Sequence, residues 1–489
     1  MTTQNAKFVE GSTMKHILVM TGSGSIGLMA LFVVDLLDML FISMLGQVEL
    51  AAAVGFAGTL TFFTTSVSIG TSIAMGALVS KSIGAKQAQT ARQLSVSILI
   101  TAFFISVLVT SVMFTYIPEL LSAIGAKGLA AERAEAYLRI LLPSSPFIAL
   151  AMAAGAGLRA AGDAKRSMWA TLSGGIVNAI LDPIFIFGFG WNVEGAALAS
   201  VFARATVLFF SLYPLIRVHN LVAVPNFSAW QLHIRNILAI ALPAILTNTA
   251  TPIGNAIVTS AIAQFGEDFV AGYAVVGRLT PVCFAVIFAL SGAVGPIIGQ
   301  NFGADKITRV KETLSNSLVV TTVYTMVVCS VLYFVQDFIV AAFSLQGDAA
   351  VMLRAFCTYV AITFVFNGAL FVANTSFNNL GKPIYSTVLN LGKATLGTLP
   401  FVTLGAYWYG ALGVLYGQAI GNILFGLIAI WALRHHIAEI MKNSDVPDED
   451  DDDPAIICIN TQPFCSHDAI LIDEVAIDED EIEKTNVAR

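Results

Sequence analysis

The chain is short of charge. Asp, Glu, Lys and Arg make up only 12% of its 489 residues, against 56% hydrophobic residues, whereas a soluble domain carries roughly 25% charged residues. Water is therefore excluded as the solvent of most of the chain. Cysteine is scarce as well, with five in all. Cys283, Cys329 and Cys357 lie in apolar runs, and Cys458 and Cys465 sit in a polar tail without metal-finger spacing, so no structural disulfide and no zinc site is expected. No Gly-rich loop ends in Lys-Ser or Lys-Thr, which argues against ATP hydrolysis. The six histidines, among them His435, His436 and His467, have no metal-ligand spacing beside partners at depth. Without a nucleophile and base at one membrane depth, an integral-membrane enzyme is disfavoured. Neither an organic cofactor nor a nucleic-acid partner is implied, and an electrochemical gradient is the remaining energy source.

Long apolar runs are what the chain does have, from about Val19 to Leu433. A bilayer-spanning helix needs about 20 mostly apolar residues, because the lipid leaves every backbone N–H and C=O to be satisfied within the helix. Punctuating the runs at charged, Gly and Pro clusters predicts about twelve spans, starting near residues 17, 51, 94, 136, 167, 195, 237, 269, 314, 354, 384 and 411. The first run, to Leu45, exceeds the roughly 7–15 apolar residues of a signal peptide and is expected to remain as a span. With both ends in the cytoplasm, the inner loops hold Lys81, Lys86, Arg92, Arg159, Lys165, Arg166, Arg217, Arg235, Lys306, Arg309, Lys311 and Lys382. The outer loops then hold only Lys127, Arg133, Arg139 and Arg354. The positive-inside bias predicts that orientation, in a plasma (inner) membrane.

The net charge of −7 is unevenly placed. Residues 443–489 hold 15 acidic and 2 basic side chains, which leaves 23 basic against 17 acidic in residues 1–442. The run Asp448 to Asp453 repels itself, so the tail is expected to be disordered from 443 and dispensable. The expected organisation is a cytoplasmic N-terminus (1–16), a six-helix lobe (17–217), a cytoplasmic linker (218–236), a second six-helix lobe (237–433) and a cytoplasmic tail (434–489).

The two lobes are read from an internal repeat. Gly76 to Ala85 matches Gly295 to Ala304 at an offset of 219, Gly162 matches Gly381 at the same offset, and Gly46 matches Gly266 at 220. Six spans per half is an even number, so both halves enter the membrane alike and relate by a pseudo-two-fold axis along its normal. The fold class is thus an all-α polytopic membrane protein with a cleft between two lobes, suited to alternating access.

A carboxylate at the bilayer centre costs at least about 2.5–3.5 kcal/mol and usually marks an ion or proton path. Asp35 and Asp38 lie deep in span one on one helix face. Asp182 lies in span five with Asn178 one turn before it, and Ser200 in span six offers another oxygen. The second half is read as having no carboxylate in any span, with Glu267 and Asp268 in an outer loop and Asp305 in an inner one. Such oxygens suit H+ or Na+, and the coupling site is expected in the first half. Asp35 or Asp38 neutralising Arg204, Arg278 or Lys393 is the alternative, those three cations otherwise serving helix packing. Asn374, Asn378 and Asn379 are expected to satisfy helix ends.

Several segments carry a resemblance: Asp38 with Phe41-Ile42-Ser43-Met44-Leu45-Gly46, Asn178-Ala179-Ile180-Leu181-Asp182-Pro183, Gly195-Ala196-Ala197-Leu198-Ala199-Ser200, and Gly299-Gln300-Asn301-Phe302-Gly303-Ala304. Together, over about residues 15 to 440, they resemble the multidrug and toxic compound extrusion (MATE) family, and Asn-x-x-x-Asp-Pro points to its DinF-like branch. The resemblance implies a coupling-cation site at Asp38, Asn178, Asp182 and, with Ser in place of Thr, Ser200. Asp35 is an extra acid, a possible accessory. The early span-one proline of many members is absent; Gly22-Ser23-Gly24 stands there, while the repeat keeps Pro243. The implied function is export of amphipathic or cationic organic compounds in exchange for H+ or Na+, by a protein that is expected to be monomeric and contacts only those compounds and membrane lipids. A flippase for a lipid-linked saccharide, its cavity lined by several basic residues, is the alternative.

Overall fold

The computed structural model describes residues 6–45 and 48–444. The described residues up to Met441 belong to one compact unit; the expected disorder of the acidic tail, Cys458, Cys465 and the Gly46 of the repeat lie outside the described residues. Sixteen α-helices follow in order: α1 (Thr13–Ser43), α2 (Val48–Gly84), α3 (Ala88–Thr115), α4 (Ile117–Ala123), α5 (Gly128–Leu141), α6 (Ser145–Ala160), α7 (Ala164–Pro183), α8 (Asn192–Arg217), α9 (Phe227–Ala263), α10 (Glu267–Cys283), α11 (Ala285–Gly303), α12 (Ile307–Ala342), α13 (Gly347–Ala355), α14 (Phe364–Asn379), α15 (Pro383–Ala394) and α16 (Leu399–Ser444). No strand occurs among the described residues. Among the described residues, eleven helical stretches are long and apolar enough to cross a membrane. The twelve expected spans are nonetheless all present. The eighth is broken at Phe284 into α10 and α11, and the last two are joined across a kink at Tyr409 and Gly410.

The repeat reappears in the backbone. Four turn positions hold a left-handed residue in both halves, each pair 219 residues apart: Lys86 and Asp305, Gly125 and Ser344, Gly128 and Gly347, Gly162 and Gly381. A non-glycine residue with positive φ is uncommon, so four coincidences at one offset record the same chain path taken twice.

The halves meet through their early helices. Ile17 and Met20 of α1 share an apolar cluster with Leu290 and Val294 of α11 and Phe377 of α14. Ile237 and Ala241 of α9 share one with Ala74 and Val79 of α2 and Leu158 of α6. Each half therefore lends the start of its first helix to the other. At the turn-rich, basic end the contact is reciprocal: a Cβ on Gly84 would lie 2.0 Å from the Gln300 carbonyl oxygen, and one on Gly303 would lie 2.0 Å from that of Lys81. Lys81 and Gln300 are themselves 219 apart, as are Gly84 and Gly303. Residue i touching j while j's twin touches i's twin is the mark of a two-fold contact, and only glycine lets the backbones approach so closely.

The N-terminal turn Lys7–Val9 closes this end. Phe8 is buried, its N–H donating to Gln300 Oε1 at 2.9 Å, while Gln300 Nε2 donates to the Ala160 carbonyl at 2.7 Å. Asn301 Nδ2 and Arg309 Nη2 donate to the Phe8 carbonyl at 3.1 and 2.9 Å. The Gly-Gln-Asn-Phe-Gly-Ala run thus joins both halves and the N-terminus.

Beside this seam, Asp163 caps α7 and accepts from His219 Nε2 at 2.9 Å and from Arg166. Burial opposes its ionisation, but the hydrogen bonds from His219 and Arg166 outweigh that and hold its carboxyl well below the usual carboxylate range.

Three sequence expectations are corrected. The second-half helices do contain carboxylates, at their ends: Glu267 and Asp268 form the first turn of α10 rather than a loop, Glu312 accepts from Thr13 Oγ1 at 2.7 Å, and the exposed Asp337 pairs with Arg354 at 2.8 Å. Arg159 belongs to the last turn of α6 rather than to a loop. Asn374, Asn378 and Asn379 face a cavity, with Asn379 Nδ2 donating one turn back to the Thr375 carbonyl at 2.7 Å.

Candidate functional site

α1 and α7 pack together in the first half, and two residues one turn apart on α7 meet one from α1. Asn178 Nδ2 donates to Asp38 Oδ1 at 3.0 Å and to Asp182 Oδ2 at 2.7 Å. Spacing i, i+4 puts Asn178 and Asp182 on one helix face, and α1 supplies Asp38 across the interface. Asp182 is fully buried and Asn178 nearly so. The second Asp182 oxygen, Oδ1, is buried and accepts from no N–H or hydroxyl donor, and the Asp38 and Asp182 carboxyl groups lie within hydrogen-bonding reach of each other.

Two carboxylates on one amide repel each other, and a buried carboxylate oxygen without a donor is costly. A proton or a small cation at that oxygen removes both penalties. Oxygen donors of this kind fit H+ or Na+. No group of three or more His, Cys, Asp or Glu side chains placed to hold a metal occurs among the described residues.

The remaining candidates sit around this trio. Ser200 of α8 lies near the Tyr137 hydroxyl, and Tyr137 lies within electrostatic reach of Asp38, Asp182 and Arg204. Sequence reasoning missed Tyr137, which α5 carries from far along the chain without any local signal. Asp35 is exposed, one turn before Asp38, and bonds to none of the trio. Arg204 Nη1 donates to Ser144 Oγ at 2.9 Å and to the Leu141 carbonyl at 3.3 Å. Lys393 donates to Asn367. No ion pair among the described residues joins Asp35 or Asp38 to Arg204, Arg278 or Lys393. α1 runs unbroken through Gly22-Ser23-Gly24.

Between the halves lies a cavity of about 1050 Å³, at the upper end of the roughly 300–1,000 Å³ of small-molecule sites. Leu28 and Leu31 of α1, Met152 of α6 and Met168 of α7 face Phe288, Phe371 and a group of asparagines from the second half.

The chain and its fold have known relatives. The family model MatE matches twice, over residues 25–184 and 243–404, one match in each half of the repeat. The chain is 29% identical over 432 residues to a protein of Shewanella oneidensis named FAD transporter, covering 87% of this chain and 95% of that one. It is 24% identical over 437 residues to the multidrug export protein MepA of Staphylococcus haemolyticus, covering 88% and 96%. A solved structure described as the outward-facing conformation of a multidrug resistance MATE family transporter superposes with a TM-score of 0.84 at 24% identity, over 90% of this chain and all of that one.

Proposed function

Because the chain belongs to the MatE family, we propose that it is a secondary active antiporter that exports amphipathic organic compounds across the plasma (inner) membrane in exchange for H+ or Na+. The coupling ion enters at Asp38, Asn178 and Asp182, with Ser200 and Tyr137 beside them. The observation that carries this reading is the orphaned Asp182 Oδ1 on a carboxylate pair that shares one amide. An occupied site neutralises the pair and an empty one leaves it repelling, so ion binding biases how α1 and α7 pack.

The lobes at 17–217 and 237–433 are the bodies that rock. Their basic end faces the cytoplasm, where Lys- and Arg-rich loops are retained, so the seal made by Gly84, Gly303, Gln300 and Phe8 is the inner gate in its closed state. The relatives' names supply the coarse cargo class, multidrug compounds and FAD. A saccharide-lipid flippase needs several cations along the cavity. Arg204 is held by Leu141 and Ser144, and neither it nor Arg278 is among the cavity-lining residues; Lys393 and Arg159 are the two cations that line the cavity, fewer than a pyrophosphate headgroup calls for, which ranks that reading below export.

The test is export from inverted membrane vesicles driven by an imposed Na+ or pH gradient. The Asp182→Asn protein should insert at wild-type levels and lose gradient-driven export, Asp38→Asn likewise, with the double variant little worse because the groups act as one unit. Asp35→Asn should be milder. Undiminished export by Asp182→Asn would move the coupling site elsewhere.

A further inference from the structure

The central cavity carries charge of one sign. The charged side chains among its described lining residues are Arg159 and Lys393, and neither Asp nor Glu lines it. Lys393 stands in the last turn of α15, ten residues beyond Pro383, which is about 15 Å along the helix at roughly 1.5 Å per residue and hence at mid-bilayer depth. Its ammonium has three donors and gives one to Asn367 Oδ1. Arg159 gives Nη1 to Ser167 Oγ at 2.9 Å. Neither forms an ion pair with a carboxylate among the described residues. A cation at this depth is expensive, and where no protein group neutralises it, it marks the path of something that does.

The surroundings of Lys393 agree. Asn374, Asn378, Asn390 and Asn422 line the same cavity, and the buried Asn374 Oδ1 has no partner. Amide groups orient a polar head without adding charge. Phe288 also lines the cavity, with Phe371 5.3 Å and Phe364 6.3 Å from it between ring centroids, offering an apolar bed for a ring system.

We propose that this cavity is an anion site: its cargo is an amphipathic organic anion whose carboxylate or phosphate is held at Lys393, with Arg159 adding a second positive charge to the chamber and the three phenylalanines taking the apolar body. Two unneutralised cations also disfavour positively charged drugs, so polarity acts as a filter in both directions. The proposal rests on the reading of the chain as an exporter, and deepens it by assigning the cargo's charge and the residue that reads it.

Two xanthene dyes of similar shape and opposite charge test it: anionic carboxyfluorescein and cationic rhodamine 6G, each titrated by fluorescence polarisation against the purified full-length protein in detergent. Carboxyfluorescein should bind in preference. Lys393→Gln should weaken its binding by about tenfold or more, Lys393→Arg should keep most of it, and rhodamine 6G binding should not fall in either. Preference for rhodamine 6G by the unsubstituted protein, or carboxyfluorescein binding unchanged in a monodisperse Lys393→Gln protein, would overturn the proposal. The first comparison needs no variant to fold. Proteoliposomes separate the two readings: carboxyfluorescein bound but not moved by a gradient keeps the anion site and removes the exporter, whereas rhodamine 6G alone moved keeps the exporter and removes the anion site.

Discussion

The two halves of the chain follow one path but place different charged side chains on it. Where the first half places Asn178 and Asp182, the positions 219 residues later are Gly397 and Phe401; where the second half places Lys393, the position 219 residues earlier is Gly174. Packing enforces the difference at Gly174, where a Cβ would meet Val207 Cγ2 at 2.2 Å and Ala203 O at 3.2 Å. Duplication supplied the scaffold twice; on the proposed assignments the first half holds the ion, while the cargo chamber draws Lys393 from the second half and Arg159 from the first. Ion and cargo can then bind at separate places and still compete, because both act on the packing of the same bundle.

That division is most sharply tested by separating the phenotypes. Asp182→Asn should drop gradient-driven export to background while leaving carboxyfluorescein binding within about threefold, the small effect expected between distant sites. Lys393→Gln should instead weaken carboxyfluorescein binding by about tenfold or more and lower its export through that lost affinity alone, so that export recovers at higher dye concentration. If Asp182→Asn abolished dye binding in a well-folded protein, ion and cargo would not bind at separate places.

A smaller but large effect is expected at the seam the halves share. Gly303→Ala puts a methyl against the Lys81 carbonyl oxygen, 2.0 Å away, and backbone cannot rotate aside as a side chain can. Overpacking of this kind costs about 1–3 kcal/mol, here charged only to the sealed arrangement. Spin labels on the α2–α3 and α11–α12 turns should report a shift toward longer distances. An unchanged distance distribution would show that the seam yields without opening.

A weaker effect concerns Asp163. Its lowered carboxyl contributes stability that is present above the unfolded value of about 3.9 and is lost as pH falls through the folded value. The asparagine variant should therefore melt lower than the parent at neutral pH, with the gap closing in acid. A constant gap across pH 3–7 would remove ionisation as the cause.

Deletion of residues 445–489 should change least, leaving export near the parental level, because the deleted segment contains no apolar run long enough to span. Loss of export at normal membrane levels would give the tail a role in the cycle.

Sequence by itself determined the solvent, the helical class, the duplication and the Asn178–Asp182 pair. Each is written in local composition or in a fixed offset: lipid demands runs of apolar residues, a repeat preserves its turns, and Asn178 and Asp182 share a face by helical spacing alone. Tertiary structure decided everything that depends on which distant helices meet. It brought Asp38 onto the amide of Asn178 and Tyr137 beside Ser200, turned Gly-Gln-Asn-Phe-Gly-Ala from a family signature into a seam, and moved Arg159 from a presumed loop into the cavity wall. It also placed Lys393 in a chamber without a carboxylate. A basic residue within an apolar run is equally compatible with pairing, capping or facing a ligand, and the choice is made by the neighbours that packing supplies, which no spacing along the chain encodes.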